Sequence, residues 1–170
     1  FQAARLLREE RDIHFLLSGW GMGFARLKDM QAAAQLANVT LVDRVADSEL
    51  DALLSSADAW LIPYRKDVAG VSVPSRFYNL LAAGRPVILV SEPEAEAALT
   101  VSENGLGWVV TPGRPDQLAD AVRLASRSQD TGMAERAVAT ARSFSPERAL
   151  ASYAALVAEL LSDRDVERTA

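Results

Sequence analysis

Short apolar runs alternate with longer segments of helical periodicity along most of this 170-residue chain. The runs lack the polar–apolar alternation of half-exposed strands, which is typical of strands covered on both faces. Strands that alternate with helices of about 10–15 residues indicate βαβ units, a parallel sheet and right-handed crossovers. Five strands are predicted, at Ile13–Ser18, Val39–Val42, Ala59–Ile62, Val87–Val90 and Trp108–Val110.

Helical periodicity predicts helices between these strands and throughout the chain after the last strand. Gly84 followed by Pro86 marks the end of one helix, and Ser145 before Pro146 marks the start of the last. The sequence therefore predicts a doubly wound, Rossmann-like α/β domain with a parallel sheet over residues 1–144. Residues 145–170 are predicted to form a C-terminal crossover helix and tail.

The chain opens directly on a predicted helix, Phe1–Glu10, with Ala4 and Leu7 on one face. A helix without a preceding strand or start methionine indicates a piece of a longer polypeptide that lacks its first strand. We therefore expect a gap in the sheet where that strand belongs. For the same reason, we expect the last helix to expose part of its apolar face.

Composition excludes several classes of function. The chain has no cysteine and one histidine, His14, so sulfur-ligated metals, a thiolate nucleophile and a multi-histidine centre are excluded. His14 lies between apolar residues and is interpreted as structural. The net charge of −5 argues against nucleic acid as a partner. No apolar run approaches the roughly 20 residues that span a bilayer. No segment has the pattern of a signal peptide either, so a cytoplasmic protein is expected.

Ligands of open α/β sheets bind beyond the carboxyl ends of the strands, near the point where strand order reverses. The glycine-rich loop after the first strand permits close backbone approach, but its glycines lack the dinucleotide-binding spacing. It either contacts a ligand through Gly19 and Gly21 or is a plain turn. In the next loop, Arg44 either contacts a base or phosphate, or pairs with Asp43 or Asp47.

The loop after the third strand leads to Pro74, which suits the first position of a helix. Val73 before it has no side-chain acceptor, so the first-turn N–H groups lack a cap from that position. A bound phosphate would satisfy these groups and relieve the poor placement of Arg76 against the helix dipole. The residues favour this reading over the alternative, in which Ser72 or Ser75 caps the helix and Arg76 points to water.

Asn79 follows Ser75 by four residues and so lies on the same helix face as the predicted anion site. Helix interiors disfavour asparagine. Its amide either meets a sugar hydroxyl or occupies an ordinary exposed position.

A resemblance to a known family rests on the order and spacing of these pieces. A strand with Gly-x-Gly is followed by NVTLVDRVADSELDALLSSADAWLIP and then by GVSVPSRFYNLLAAGRPVI. From about Phe1 to Leu161 the chain resembles the C-terminal, donor-binding domain of retaining glycosyltransferases of the GT-B fold, family 4. Within that family, it is most similar to the enzymes of bacterial polysaccharide biosynthesis that carry a P-S-[KR]-x-x-x-x-L-A-x-G segment.

The resemblance implies a glycosyltransferase that moves a hexose or N-acetylhexosamine from a nucleoside diphosphate to a lipid-linked or saccharide acceptor. It implies a nucleotide-sugar donor substrate and no metal or other cofactor. The N-terminal, acceptor-binding domain would precede Phe1, so this stretch alone is expected to be inactive. Any peripheral membrane association is expected through that missing domain.

The resemblance also implies a set of site residues. The loop around Arg44 and Val45 would hold the base, and the backbone of Gly70–Val73 with the next helix start would hold the diphosphate and sugar. Arg76 would be catalytic, since it would stabilise the phosphate leaving group with backbone N–H groups. The residues expected to bind substrate are Gly19, Gly21, Arg44, Val45, Gly70, Val71, Ser72, Val73, Ser75 and Asn79.

Two features depart from the family. Its paired glutamates fall at Val71 and Asn79. Asn79 can still donate to and accept from a ribose, whereas Val71 removes a carboxylate contact to sugar hydroxyls and leaves the identity of the sugar open. The family's first strand, with its basic pyrophosphate contacts, would precede Phe1.

Two other functions compete with the glycosyltransferase. A GT-B sugar-nucleotide epimerase would need carboxylates in the cleft, and acids are scarce there. A non-enzymatic doubly wound binding module of the receiver type would show an acidic cluster and a strand-end lysine, and neither is found. The favoured reading predicts one cleft at the carboxyl edge of the sheet, lined by Gly19, Arg44, Gly70, Ser72 and Ser75.

Overall fold

A computed structural model describes residues 1–64, 66 and 75–169. All five predicted strands are present, and each of their ends lies within two residues of the predicted one. The fourth strand has the predicted bounds. The strands are β1 Phe15–Gly19, β2 Val39–Asp43, β3 Trp60–Pro63, β4 Val87–Val90 and β5 Gly107–Val110.

The helices lie between and after the strands as the sequence predicts. They are α1 Gln2–Leu6, α2 Met22–Ala34, α3 Leu50–Ser56, α4 Ser75–Ala82, α5 Glu96–Glu103, α6 Pro115–Arg127, α7 Met133–Ser143 and α8 Pro146–Thr169, with a 3₁₀ turn at Asp47–Glu49.

The first helix is shorter than the predicted Phe1–Glu10. Leu7 is fully buried, and the chain turns there, with the Glu10 N–H donating to the Leu7 carbonyl. Glu10 then forms an ion pair at 2.7 Å with Arg123 of α6. Burial of Leu7 and this ion pair draw the chain towards α6, which ends the helix early.

The strands form two parallel sheets. β1 pairs with β2, and Gly19 lies opposite Asp43 at their carboxyl ends. β4 lies between β3 and β5 in the second sheet. No strand pairing joins the two sheets within the described part of the chain. The described strands are thus divided between a two-stranded and a three-stranded sheet, and whether a missing strand belongs between them stays a prediction.

The largest part of the core covers one face of the second sheet. Val87 and Leu89 of β4 pack there against Phe77 and Leu81 of α4 and Val101 of α5. α7 completes this layer through its contact with α4. This packing fixes α4, whose first turn lies at the carboxyl side of the sheet because its last turn leads back to the start of β4.

Helix α6 covers the opposite face and reaches both sheets. Leu118 and Val122 of α6 pack on two clusters of buried residues. One cluster contains Ile88 of β4, and Phe15 of β1 packs against the other. Val39 of β2 lies in a separate cluster with residues of α1 and the end of α2. β1 is therefore the strand of the first sheet that lies nearer to the second.

The first sheet is covered on one face only, so the prediction of strands buried on both faces is wrong for β1 and β2. Leu16 is 44% exposed, and Ser18 and Thr40 are exposed beside it. The helix after β2, α3, packs its Leu54 on the core of the second sheet instead. Sequence hydrophobicity could not show this, because Leu16 is apolar wherever its side chain points.

The last helix confirms two expectations. Ser145 caps it, since its Oγ accepts the Arg148 N–H at 3.4 Å, and Pro146 is the first helical residue. Its apolar residues are exposed, among them Leu150, Tyr153 and Leu160. Despite its length, neither α8 nor any other described helix is apolar enough to cross a membrane.

Candidate functional site

The glycine-rich loop after β1 is shaped by close packing. A side chain at Gly19 would place its Cβ 3.1 Å from the ring of Phe24, which is buried at the start of α2. Gly21 has a φ of +86°, a backbone conformation that glycine adopts at least cost. The two glycines therefore permit a tight turn from β1 into α2, with Trp20 at its tip.

Arg44 follows β2 and lies beside this loop. Its guanidinium carbon is 4.9 Å from the centre of the Trp20 ring, and its Nη2 is 3.3 Å from Asp47. Asp43 instead forms an ion pair at 2.7 Å with Lys28 of α2. Of the sequence alternatives for Arg44, pairing with Asp47 is confirmed, and ligand contact stays a prediction. Val45 is half-buried next to it.

Helix α4 presents polar residues on the side opposite the core. Phe77 and Leu80 are buried, whereas Arg76 and Asn79 are exposed. Because residues three apart share a helix face, the two exposed side chains are neighbours. Ser75 is the first residue of α4. The remaining predicted site residues lie outside the described part of the chain: Gly70, Val71, Ser72 and Val73.

Tyr64 lies directly after β3, at the carboxyl end of the second sheet. Its hydroxyl is buried and has no hydrogen-bond partner among the described residues. Burial raises the pKa of this hydroxyl, nearby Tyr78 raises it further, and the charge of Arg76 opposes the rise. Tyr64, Tyr78 and Arg76 therefore form a second group of polar side chains at this edge.

His14 lies away from these groups. It precedes β1, at the amino end of the strand, and its Nε2 is 2.8 Å from the Thr40 hydroxyl. The side chain is exposed despite its apolar neighbours in sequence. It connects β1 to β2, which agrees with the structural role predicted for it. No cluster of three or more potential metal ligands is present among the described residues.

The site residues thus form two groups at the carboxyl ends of the strands. Gly19, Gly21 and Arg44 belong to the first group, at β1 and β2. Arg76 and Asn79 of α4 join Tyr64 and Tyr78 in the second, at the carboxyl end of the second sheet. Whether both groups line one cleft with the residues of the 65–74 loop stays a prediction. The sequence analysis did not select Trp20 or Tyr64. The signal that could have identified them is an aromatic residue directly after β1 and directly after β3.

Two curated bacterial proteins are similar to this chain. "Probable glycosyltransferase WbjE" of Pseudomonas aeruginosa is 29% identical over 117 residues, which are 69% of this chain and 29% of that protein. "Putative colanic acid biosynthesis glycosyl transferase WcaI" of Escherichia coli K12 is 30% identical over 125 residues, 73% of this chain and 30% of that protein. The chain therefore spans about 30% of the length of these relatives.

A solved structure shares the fold. The pneumococcal O-GlcNAc transferase GtfA, in complex with UDP and GlcNAc, superposes with a TM-score of 0.66 at 18% sequence identity. The match covers 94% of this chain and 32% of that protein. The parallel sheets and flanking helices are those of a GT-B glycosyltransferase fold, as the sequence predicts. A sequence model of the family described as "Glycosyl transferases group 1" matches residues 1–127, and the chain belongs to that family.

Proposed function

We propose that this chain is the donor-binding, C-terminal domain of a retaining GT-B glycosyltransferase of family 4. The protein would transfer a hexose or N-acetylhexosamine from a nucleoside diphosphate to a lipid-linked or saccharide acceptor in polysaccharide biosynthesis. One observation carries the proposal: α4 holds Arg76 and Asn79 exposed, side by side, at the carboxyl end of the second sheet. Two of the similar proteins support the substrate class. The structural neighbour is in complex with UDP and GlcNAc, and one relative is named for colanic acid biosynthesis.

Arg76 carries a positive charge, which would stabilise a departing nucleoside diphosphate. Its guanidinium and the first-turn N–H groups of α4 would share the negative charge that develops on the leaving phosphate. Burial of Phe77 and Leu80 fixes the helix, so these donors would need little rearrangement during the reaction. Asn79, one turn further along, would meet the ribose hydroxyls.

We propose further that one parallel strand of the longer protein lies between β1 and β3. Both strands have an unpaired edge in the described part of the chain, and α6 packs across the division between them. A strand there would give one continuous parallel sheet. The acceptor-binding domain would precede that strand, and α8 would pack its exposed apolar residues against it.

Helix α8 allows a direct test of that domain contact. Leu160→Asp should change the free energy of unfolding of the 170-residue chain by less than about 0.5 kcal/mol, since the side chain is 56% exposed. In the longer protein, the same change should lower the unfolding midpoint, because the leucine would be buried between domains. Thermal unfolding of both proteins measures the difference. An equal response in the two would contradict the domain contact.

The donor site is tested through Arg76. Arg76→Ala should weaken binding of UDP or GDP about tenfold to a hundredfold, because a charge-assisted hydrogen bond contributes about 1.5–3 kcal/mol. Asn79→Ala should cost less, about 0.5–1.5 kcal/mol, as expected for a neutral hydrogen bond. Calorimetry with each nucleoside diphosphate and with its parent nucleoside measures both effects.

Arg127→Ala is the matched control, since Arg127 is an exposed arginine in the last turn of α6. It should leave binding unchanged. Equal weakening of nucleoside and nucleoside diphosphate by Arg76→Ala would show that Arg76 is not a phosphate contact. If the full-length protein binds no nucleoside diphosphate, the donor-binding function is wrong.

A further inference from the structure

Trp20 is a large aromatic side chain in an unusual place. It is 70% exposed, at the tip of the loop after β1. Exposing this much apolar surface is unfavourable in water, and tryptophan is usually mostly buried. Tryptophan is enriched at interfaces, where a partner covers the ring.

One partner of the ring is already present in the chain. Arg44 lies 4.9 Å from the ring centre, within the range of a cation–π contact, and Asp47 holds the other end of its guanidinium at 3.3 Å. Arginine is planar and stacks on aromatic faces, so the Arg44 guanidinium lies over one face of the Trp20 ring. Most of the Trp20 surface remains open to a third group.

The backbone under Trp20 is fixed. Gly19 packs on the ring of Phe24, and the Lys28–Asp43 ion pair at 2.7 Å joins α2 to the end of β2, where Asp43 lies opposite Gly19. The Ser18 hydroxyl also donates to the Asp43 carbonyl at 3.3 Å. Trp20 is therefore held at the edge of the sheet rather than carried on a free loop.

The position of this edge indicates what covers the ring. β1 is the strand nearer to the second sheet, so Trp20 lies beside the division between the sheets. The chain moves away from this division through β1 and β2, and then returns to build β3–β5. Strand order reverses there, and such a reversal is where open α/β sheets bind ligands.

We propose that Trp20, with Arg44 packed against it, is the surface on which the base of the nucleoside diphosphate stacks. This inference rests on the proposed function. A base has a flat π-face of the size of the indole, and base–aromatic stacking tolerates different bases. Trp20 would therefore position the nucleotide by ring contact, while Arg44, held by Asp47, supports the indole by stacking on it.

The experiment uses UDP and GDP with the 170-residue chain. Trp20→Ala should weaken both nucleotides about tenfold, and Trp20→Phe should weaken them less, because the smaller ring still stacks. Each nucleotide should quench the tryptophan fluorescence of the wild type. The quenching should disappear in Trp20→Phe and persist in the control Trp108→Phe, since the Trp108 ring packs against α6 in the core.

The outcomes separate the two proposals. If UDP or GDP binds the wild type and Trp20→Ala equally well, the stacking surface is wrong and the donor-binding function stands. If the quenching survives in Trp20→Phe, the base does not stack on Trp20. If neither nucleotide binds the wild type or the full-length protein, both proposals are wrong. Unfolding midpoints are the folding control. If the Trp20 variants unfold at the same temperature as the wild type, any loss of binding is not caused by unfolding.

Discussion

Replacing Gly107 with alanine will lower the free energy of unfolding by about 3 kcal/mol or more. Gly107 opens β5 directly opposite Val87 of the central strand β4. Its φ is +151°, and a Cβ there would lie inside the van der Waals radius of the Val87 carbonyl oxygen. This neighbour is backbone, so no side-chain rotation relieves the clash, and β5 must move away from β4. The unfolding midpoint should fall by roughly 6–12 °C.

Gly23→Ala is the matched control for Gly107→Ala. Gly23 lies in the first turn of α2, its φ is not positive, and a Cβ there would meet nothing within 4 Å. Alanine should therefore be neutral or stabilise the chain by up to about 1 kcal/mol, because it restricts the unfolded state. Circular dichroism of the two variants gives the comparison. Equal midpoints for both variants would contradict the close contact between β4 and β5.

Phe77→Ala should lower the free energy of unfolding by about 3–5 kcal/mol. The ring is 1% exposed and lies in the main core cluster, 5.4 Å from the ring of Tyr78. Removing it leaves a cavity beneath α4. Because Arg76 precedes Phe77 on the same helix, we also expect nucleoside diphosphate binding to weaken under conditions where the variant is still folded.

Phe77→Leu separates packing from chemistry. It keeps most of the apolar volume, so its cost should be about 1–1.5 kcal/mol, and nucleotide binding should be close to wild type. Chemical denaturation measures stability, and calorimetry measures binding. A loss of less than about 1 kcal/mol for Phe77→Ala would contradict the burial of this ring.

Much of the fold could be predicted from local sequence. Short apolar runs identified the strands, and the Ser145–Pro146 pair identified the start of α8. The length of α1 could not be predicted, since the turn at Leu7 depends on contact with α6, which lies more than one hundred residues away in sequence. The exposure of Leu16 depends likewise on where α3 packs.

The candidate site was predicted in part. Arg76 and Asn79 lie exposed on one face of α4 because Phe77 and Leu80 have the spacing of a buried face, which is a local pattern. Trp20 and Arg44 are separated by a strand and a helix, and only the parallel pairing of β1 with β2 brings them together. Tyr64 was missed for a similar reason, since the burial of its hydroxyl depends on tertiary packing.

The bridging position of α6 has a consequence for dynamics. The first sheet is held by small buried clusters, and its packing to the second sheet passes through Leu118 and Val122. Separation of the first sheet from α6 would leave α6 packed on Ile88 and the larger core around β4 intact, so sub-global opening should precede global unfolding. Amide hydrogens of β1 and β2 should therefore exchange with solvent faster than those of β4. A ligand that contacts both sheets would slow that exchange, because it binds only while the first sheet is packed on α6.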